Sequence, residues 1–340
     1  MSYIFKASTS TKEGFSVKLM AEILNNVLKY PPFCINERGI FLRAPDPNKE
    51  ILIDLSMNKE DFIVYKCPKP LYFIVNSSHF YKLLKTIKKK DSVTLFINEK
   101  SPMQLGVSVC TNDENSEKVT TFININYTQP EEFDLPSGYN EPIIVTSKNF
   151  QKLKTLHNIG TDMSLTIFKN SLKFFCNGKN LYQREVKITV GDDEDKDDSV
   201  CYSQTYTTQH ITQLTKCAGQ SGNVLFYHDE NSPLQIKMQT GSLVKMKIFI
   251  KSKELIETEQ EDENEDKEDN IISIENNGQN SKDESTYDDD DQDEQDDQDE
   301  DDQRDEEEEY DDEEEDSNSQ SSSNIKKGKF KKNNKTYKKK

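Results

Sequence analysis

An internal repeat constrains the fold of this chain more than any other feature of its sequence. The segment from Ser77 to Leu105 reappears without a gap from Thr208 to Ile236, a shift of 131 residues (208 minus 77). Self-similarity at a fixed shift marks a structural unit that is built more than once. Eight positions are identical in the two copies: His79 and His210, Leu83 and Leu214, Lys85 and Lys216, Val93 and Val224, Glu99 and Glu230, Ser101 and Ser232, Pro102 and Pro233, Gln104 and Gln235.

The repeated unit has the pattern of a helix followed by a hairpin. Apolar residues recur at steps of three and four between Phe80 and Ile87, which is typical of a helix with one buried stripe, and the serines before it are candidate N-caps. Residues 93–97 and 103–109 have strand-like composition, and the polar segment 98–102 between them contains a proline. Each copy is therefore predicted to place a helix beside a β-hairpin.

A second helix is predicted in each half. Residues 15–28 have apolar side chains at helical spacing with Ser16 as candidate cap, and the matching helix is expected at 147–159, again shifted by 131 residues (147 minus 16). The segment 127–141 is polar, contains two prolines and is predicted to be an extended connector. Further strands are predicted at 33–36, 39–44, 51–55, 61–67, 71–75, 119–126, 142–146, 163–169, 171–176, 183–190, 199–206 and 243–250.

These elements predict an α+β fold with two similar domains, each with two helices on an antiparallel sheet. The predicted domains are residues 1–126 and 142–253, which the connector joins. Charge separates two further segments. Residues 254–316 carry 36 acidic and 3 basic side chains, residues 317–340 carry nine lysines and no acid, and the remainder has a net charge of +5. Segments so charged cannot bury enough apolar surface to offset chain entropy, so an acidic and a basic disordered tail are expected.

Several classes of function lack their sequence signatures. The six cysteines are spread singly, so neither a zinc ribbon nor a disulfide framework is indicated, and most are expected to be buried and reduced. The four histidines are scattered, and no metal-spaced cluster, phosphate-binding glycine loop or nucleophile elbow occurs. An enzyme and a bound cofactor or metal are therefore not expected. The absence of a long apolar run and of a signal peptide predicts an intracellular protein without a membrane segment.

The order of short motifs resembles that of the proliferating cell nuclear antigen family of DNA sliding clamps. GIFLRAPD followed by ILIDLSMNKEDFIVYKC resembles one run of the family, and IVNSSHFYKLLK resembles its second helix. EKV at Glu117, FDLP in the connector, HNIG at His157 and SPLQI at Ser232 also match, so the resemblance covers about residues 3–253. It implies the DNA clamp fold and a homotrimeric ring around double-stranded DNA, with helices lining the hole and sheets outside.

The resemblance also implies partners and a location. A clamp of this kind tethers DNA polymerase and other replication and repair proteins, gives them processivity, and is opened by a clamp loader. Such a clamp works in the nucleus, or at a cytoplasmic replication site if a virus encodes the clamp. Sliding requires attraction to phosphates rather than to base edges, which lysines facing the hole would supply. Exposed lysines also simply keep surfaces soluble, and that alternative stays open for each one. The lysines expected to face DNA are Lys18, Lys82, Lys85, Lys88, Lys152, Lys154 and Lys216.

Two protein-binding surfaces are implied by the same resemblance. Partner peptides with aromatic anchors would enter an apolar groove under the connector, although each apolar connector residue could instead pin the connector to its own sheet. After Phe249 the sequence IKSK replaces the family's usual alanine-proline pair. The expected groove residues are Pro45, Asp46, Leu52, Phe133, Leu135, Pro136, Tyr139, Pro233 and Phe249. The expected subunit contacts lie on strands that could be sheet edges or ordinary strands. They are Lys118, Val119 and Phe122 on one subunit and Phe175, Cys176 and Leu181 on the next.

Alternatives remain for the tails and for the whole chain. The acidic run could be a solvated tail, a competitor for the basic hole, or a binder of basic partners such as histones. The terminal lysines could direct nuclear import or contact nucleic acid. A non-catalytic histone-binding chaperone with an acidic tail is the second hypothesis for the chain. A chaperone would not need repeated helices with lysines at corresponding positions.

Overall fold

The computed structural model describes residues 2–111, 118–178, 181–190, 199–218 and 222–261, without the side chain of Cys217. All of them belong to one compact unit, Met1–Gln279, and the second unit, Asn280–Lys340, lies outside the described residues. The first half contains β1 (Tyr3–Ser8), α1 (Gly14–Val27), β2 (Pro32–Asn36), β3 (Gly39–Pro45), β4 (Ile51–Asn58), β5 (Val64–Lys66), β6 (Leu71–Val75), α2 (Ser77–Leu84), β7 (Ser92–Asn98), β8 (Ser101–Cys110) and β9 (Lys118–Tyr127).

The second half repeats this plan after the connector. It contains β10 (Ile143–Thr146), α3 (Ser147–Gln151), a 3-10 helix (Lys152–Leu156), β11 (Asp162–Phe168), β12 (Ser171–Gly178), β13 (Tyr182–Thr189), β14 (Val200–Thr207), α4 (Thr208–Thr212), α5 (Thr215–Ala218), β15 (Asn223–Asp229), β16 (Ser232–Thr240) and β17 (Val244–Ile250). A further helix, here called the C-terminal helix, spans residues 253–261. A short 3-10 helix, Lys59–Asp61, precedes β5.

The repeat extends beyond the segment in which it is visible in the sequence. β7 and β15 begin 131 residues apart (223 minus 92), as do β8 and β16 (232 minus 101). The same shift relates β4 to β13 (182 minus 51), where the sequences share little. The two halves are therefore copies of one architecture and not only of one helix and hairpin.

The described strands form two antiparallel sheets. The larger sheet has thirteen strands in the order β10-β15-β16-β17-β4-β3-β2-β6-β9-β8-β7-β1-β5, and the smaller has four in the order β13-β12-β11-β14. β17 pairs with β4 from Lys245 opposite Ser56 to Ile250 opposite Ile51. Because β17 belongs to the second half and β4 to the first, this pairing joins the halves through backbone hydrogen bonds.

The helices form one row against the larger sheet. α2 packs against α1, α1 against α5, and α5 against α3, and each of these four helices contacts strands of the thirteen-stranded sheet. α1 is buried on most of its circumference, because residues such as Val17, Met20 and Leu24 are fully covered. Only a narrow stripe of partly exposed residues, which includes Lys18 and Glu22, faces away from the core.

Several local predictions are corrected by the structure. Asn76, rather than a serine, caps α2, because its side chain accepts a hydrogen bond from the backbone N–H of His79. Ser16 lies inside α1 and donates to the Glu13 carboxylate, so it is not a cap. The strand predicted from residue 61 is only β5, and β1 was not predicted at all. Both strands are short edge or near-edge elements, where the alternation of apolar residues is too brief to be recognised.

The helix predicted at 147–159 is shorter and changes type. After α3 the chain continues as a 3-10 helix, in which Leu153 and Leu156 are fully buried. Phe150, Leu153 and Leu156 are spaced at three-residue steps, and a 3-10 helix has three residues per turn. The 3-10 geometry therefore keeps Leu153 and Leu156 on one line, and both continue the buried side that Phe150 begins on α3.

The acidic segment was predicted to be disordered from Glu254 onward, but its first residues are helical. Residues 253–261 are helical, and the Ser252 hydroxyl, itself 1% exposed, accepts from the Leu255 N–H at 3.1 Å as an N-cap. The rest of the two predicted tails, 262–340, lies outside the described residues. None of the helices in the described ranges is both long and apolar enough to cross a membrane.

The prediction that most cysteines are buried holds for two of them. Cys67 and Cys176 are buried, Cys34 and Cys110 are partly exposed, and Cys201 is exposed. All five are free thiols. Within the described ranges no group of three or more His, Cys, Asp or Glu side chains is placed to hold a metal ion.

Candidate nucleic-acid interface and partner groove

The charged residues of the helix row are almost all positive. Within the described helices α1 to α5 and the 3-10 helix that follows α3, the sequence places six lysines and a single acid, Glu22. α1, α2, α3 and α5 pack side by side on the larger sheet, and the 3-10 helix contacts α3 and α5 as well as strands of the smaller sheet. The lysines of these helices therefore belong to one continuous layer. The lysines of this layer are Lys18, Lys82, Lys148, Lys152, Lys154 and Lys216.

Five of the seven lysines expected to face DNA are exposed on or beside this row without being drawn into an ion pair that the structure records. Lys82 lies on α2, Lys85 caps its C-terminus and Lys88 follows in the loop, while Lys152 and Lys154 lie on the 3-10 helix. Nζ of Lys152 donates to Oδ1 of Asn149 at 2.9 Å. Because the amide is neutral, the positive charge of Lys152 is not compensated. These five residues are placed where a polyanion could approach them.

The other two lysines are held by neighbours. Nζ of Lys216 lies 2.7 Å from Oε1 of Glu22, so a pair links α5 of the second half to α1 of the first. Nζ of Lys18 lies 3.4 Å from the carbonyl oxygen of Ile87 and 5.2 Å from the centre of the Phe15 ring. The Lys216–Glu22 pair has no net charge, which makes the centre of the row less basic than the sequence implied.

Sequence reasoning missed one lysine of the row. Lys148 is exposed on α3, four residues before Lys152. Residues four apart lie on the same face of a helix, so this spacing was the available signal.

The predicted groove residues come from three strands and the connector. Pro45 pairs with Leu52, and Leu52 pairs with Phe249, so the three form one row across β3, β4 and β17. Phe249 is 2% exposed and does not belong to the main apolar core. It is therefore covered from the outer side of the sheet and forms part of the floor of the groove.

Tyr139 pins the end of the connector over this row. Its hydroxyl donates to the carbonyl oxygen of Pro233 at 2.6 Å, and its ring centre lies 6.4 Å from that of Phe249 and 6.2 Å from that of Tyr227. Burial, with the nearby carboxylate of Asp229, raises the pKa of the Tyr139 hydroxyl, which keeps it a donor. The sequence allowed two roles for an apolar connector residue: binding a partner peptide, or attaching the connector to its own sheet. The contacts of Tyr139 are those of attachment.

Arg43 fixes the middle of the connector. Its guanidinium donates to the carbonyl oxygen of Phe133 at 3.0 Å and to Asp54 at 3.0 Å. Under this part of the connector lies a cavity of 990 Å³, which Phe133, Pro45 and the outer faces of β2, β3 and β6 line. Arg43 was not recognised from the sequence, because its partner is a backbone atom distant in the chain.

The remaining predicted groove residues differ in exposure. Leu135 and Pro136 are half-buried on the connector between the two fixed points. Asp46 is 9% exposed and accepts from the backbone N–H of Ile51 at 2.7 Å and of Asn48 at 3.2 Å. Asp46 therefore holds the β3–β4 turn in shape and offers little surface to a ligand.

The residues predicted to form subunit contacts lie partly on an open strand edge and partly on a strand that is not an edge. Lys118, Val119 and Phe122 lie on the part of β9 that pairs with β8 alone, since β9 reaches β6 only at residues 125–127. In the described structure this stretch has an open edge. Val119 is 60% and Phe122 48% exposed, which is unusual for apolar side chains in a strand.

The strand that carries most of the second set was expected to be an edge, and it is not one. Phe175 and Cys176 lie on β12, which is paired on both sides, and Cys176 is fully buried in the core. One edge of the smaller sheet is β13; Tyr182, its first residue, is 53% exposed, and Leu181 just before it is 84% exposed. Of the predicted residues on this side only Leu181 lies at an edge.

Comparisons with known proteins agree on one family. Residues 8–129 match the model of the N-terminal domain of proliferating cell nuclear antigen. The chain is 25% identical over 254 residues to a DNA polymerase sliding clamp of Nitrosopumilus maritimus (72% of this chain and 97% of that protein). It is 23% identical over 236 residues to proliferating cell nuclear antigen 2 of Plasmodium falciparum (66% and 88%). It is 22% identical over 249 residues to a probable DNA polymerase sliding clamp 1 of Paramecium bursaria Chlorella virus 1 (71% and 94%).

A solved structure shows the same fold. The crystal structure of proliferating cellular nuclear antigen from Entamoeba histolytica superposes with a TM-score of 0.62, at 19% identity, over 74% of this chain and 99% of that one. The predicted α+β clamp fold is thereby confirmed. The family model, the relatives and the solved structure agree: the chain is similar in sequence and in fold to the proliferating cell nuclear antigen family of DNA sliding clamps.

Proposed function

We propose that this protein is a sliding clamp that encircles duplex DNA as a ring of three copies and tethers DNA polymerase and other replication and repair proteins. The observation that carries this proposal is the continuous row of helices, which holds six lysines against one acid, itself paired with Lys216. The role is non-catalytic: the clamp confers processivity by holding its partners on DNA.

The chemistry of the lysine row suits movement along DNA. Lysine is a point charge on a flexible stem, so it attracts phosphates without fixing a register on the bases. Lys82, Lys85, Lys88, Lys152 and Lys154 are exposed and can reach phosphates in this way. Attraction to phosphates depends on released counterions and not on sequence, so the bound protein can slide.

Two open strand edges support closure into a ring. The first part of β9 and the outer side of β13 each present backbone groups that no other described strand pairs. A contact between two different edges of identical subunits is heterologous, and such contacts close into rings when the rotation between subunits allows it. Three copies would give six domains around the DNA. A clamp loader would be needed to open such a ring.

The outer surface supports the tethering role. The connector is fixed at Phe133 by Arg43 and at Tyr139 by Pro233, while Leu135 between them is half-buried. A partner peptide with aromatic anchors would pack against this segment and the Pro45–Leu52 row, as hot-spot side chains do in apolar pockets. The protein would act in the nucleus or, if a virus encodes it, at a cytoplasmic replication site; relatives occur in a protist and a virus as well as in an archaeon.

A topological experiment tests the function. The protein is incubated with linear duplex DNA carrying biotin at both ends, streptavidin is added afterwards, and the complex is washed at high salt. High salt removes attraction to phosphates, so only a protein threaded on the DNA remains. We expect retention on blocked DNA and complete loss from open-ended DNA of the same sequence. Equal loss from both would rule out encirclement.

A further inference from the structure

The C-terminal helix is tied to a strand of the second half by its first acidic residue. Both carboxylate oxygens of Glu254 accept from the backbone N–H of Thr205 on β14, at 3.0 and 2.9 Å. Lys253 pairs with Asp162 at the start of the neighbouring strand β11. The helix is therefore docked, although the sequence around it predicts a solvated tail.

The residue next to Thr205 continues the connection inward. The side-chain oxygen of Gln204 accepts from the hydroxyls of Tyr202 at 2.7 Å and Tyr206 at 3.3 Å. Its amide nitrogen donates to the carbonyl oxygen of Glu230 at 2.9 Å. Tyr202 and Tyr206 are 2% and 0% exposed, so Gln204 is held by groups that cannot move freely.

The Glu230 carbonyl lies in the turn that carries the anchor of the connector. This turn joins β15 to β16, and three residues further on the carbonyl oxygen of Pro233 accepts from Tyr139. A continuous path of hydrogen bonds and short backbone therefore runs from Glu254 through Gln204 and the turn to Tyr139. The hydrogen bonds along this path have donor–acceptor distances of 2.6 to 3.0 Å.

We propose that Glu254 is a positioning residue for the partner groove. It touches no groove residue, but it fixes β14, and through Gln204 the β15–β16 turn, at the position where Tyr139 can pin the connector. The beginning of the acidic segment is then a structural part of the partner-binding surface. This inference rests on the proposed tethering function for its binding readout, and on the structure alone for the link between helix and connector.

The test uses full-length protein and two glutamates of the same helix. Glu254→Ala removes the acceptor of the Thr205 N–H, whereas Glu257→Ala removes the same charge from an exposed position three residues later. Affinity is measured by fluorescence anisotropy with a labelled peptide that carries two adjacent aromatic anchors. We expect Glu254→Ala to weaken binding about 5-fold or more, and Glu257→Ala to leave it within about 2-fold of the unsubstituted protein.

A conservative variant and a second readout separate positioning from charge and from loss of folding. Glu254→Gln keeps one acceptor oxygen and should recover part of the affinity. Gln204→Met breaks the middle of the path without touching the helix and should weaken binding as Glu254→Ala does. In both weakened variants amide hydrogen exchange should rise in the connector around Tyr139, while the exchange of α1 stays unchanged.

The outcomes that overturn the inference are distinct from those that overturn the proposed function. Equal affinity for Glu254→Ala and the unsubstituted protein, or an equal loss in Glu257→Ala, would show that the carboxylate does not position the groove. If the unsubstituted protein does not bind the peptide, the tethering function fails. Hydrogen exchange then tests the link between the C-terminal helix and the connector without the peptide. Unchanged exchange in the connector of Glu254→Ala contradicts this link, and raised exchange there supports it.

Discussion

Glu13 joins the two halves of the chain through a single carboxylate. Its Oε1 accepts from the backbone N–H and the hydroxyl of Ser242, both at 2.8 Å, and its Oε2 accepts from Ser16 at 2.9 Å. Gly241 adopts a φ of +61°, and a Cβ atom there would lie 2.1 Å from Oε2. The β16–β17 turn therefore needs a glycine so that its backbone can reach a carboxylate at the start of α1.

Replacing Glu13 tests this junction. Glu13→Gln leaves one acceptor oxygen and places an amide nitrogen, a donor, against the donors of Ser242. We expect the free energy of unfolding to fall by about 1 to 3 kcal/mol, because buried donors lose their acceptor. Urea unfolding followed by circular dichroism measures this change. Glu37→Gln, an exposed carboxylate in the β2–β3 turn, is the control and should change nothing measurable.

The same carboxylate makes stability depend on pH. Burial raises the pKa of Glu13, but hydrogen bonds from Ser242, Ser16 and Leu243 outweigh it, so the pKa in the folded protein lies below the ordinary value of 4.5. A lowered pKa contributes stability above the pKa of the unfolded chain, and this contribution is lost as pH falls through the folded value. The loss of stability below about pH 4.5 should be smaller in Glu13→Gln. An identical acid dependence would contradict this assignment.

Leu135 tests the partner groove at the level of one side chain. It is half-buried between the two fixed points of the connector, so truncation should remove contact area without freeing the connector. We expect Leu135→Ala to weaken binding of an aromatic-anchor peptide about 10-fold, the size of a moderate hot spot. Ser137→Ala, on an exposed residue of the same segment, is the control. Equal affinity of both variants would remove Leu135 from the groove.

Single residues show what sequence patterns could and could not supply. Apart from Lys148, the exposed lysines on the helices were recognised, because a helical face can be predicted from nearby spacing. The partner of Glu13 is Ser242, 229 residues away, and the partner of Arg43 is a backbone carbonyl 90 residues away. Such contacts depend on which strands become neighbours, and no local periodicity encodes that.

The two edges of the smaller sheet differ in a way that matters for assembly. β14 is one edge, and Glu254 already occupies the outward N–H of Thr205. β13 is the other edge, and within the described structure it pairs with β12 alone. Occupied backbone groups cannot extend a sheet, whereas open ones can. Of the two edges of this sheet, β13 is therefore the one that could pair with the open part of β9 in another copy, as the proposed ring requires.

Charged substitutions at matched exposed positions test this distinction. Tyr182→Asp on β13 and Val119→Asp on β9 place a carboxylate in the expected contact, at side chains 53% and 60% exposed. Val200→Asp places the same charge on β14, at a side chain 59% exposed. Size-exclusion chromatography should show dissociated protein for the first two and an unchanged assembly for the third. Dissociation by Val200→Asp alone would place the contact at β14.

The lysine row is tested by its dependence on salt. The variant Lys82→Ala, Lys85→Ala, Lys152→Ala and Lys154→Ala removes four exposed charges of the row. Because each phosphate contact contributes to counterion release, the slope of log affinity against log salt should become shallower by about 1 to 4. An unchanged slope would show that the row does not meet phosphates. The control replaces four exposed lysines outside the helix row, Lys59, Lys66, Lys69 and Lys100.

At the scale of elements, the sequence predicted the existence of most strands but not their neighbours. β12 pairs with both β11 and β13, whereas β13 pairs with β12 alone, and only these pairings show that β13 is the edge. The helix after β10 was predicted as longer, because a three-residue apolar step resembles a helical stripe until its type is known. The C-terminal helix was missed, because its few apolar residues stand among acids and its stability comes from docking.

The whole described molecule separates charge between its two faces. The helix row is basic, whereas the connector 127–141 carries four acids and no base. The pairing of β17 with β4 makes one continuous sheet of both halves, so these faces are held on a common frame. A frame with a basic helix layer on one side and open strand edges at β9 and β13 fits an arc of a ring. The repeat predicted two similar halves, but the strand pairing that joins them had no sequence signal.

The molar mass of the assembly tests the central claim most directly. Multi-angle light scattering of the full-length protein, with a chain mass of 39.3 kDa, measures it independently of shape, which matters for a ring with a highly charged extension. A closed ring of three copies predicts roughly 118 kDa (three times 39.3), without change on moderate dilution. A mass of one or two chains, with a histone complex that depends on the acidic segment, would contradict the ring and favour the chaperone hypothesis.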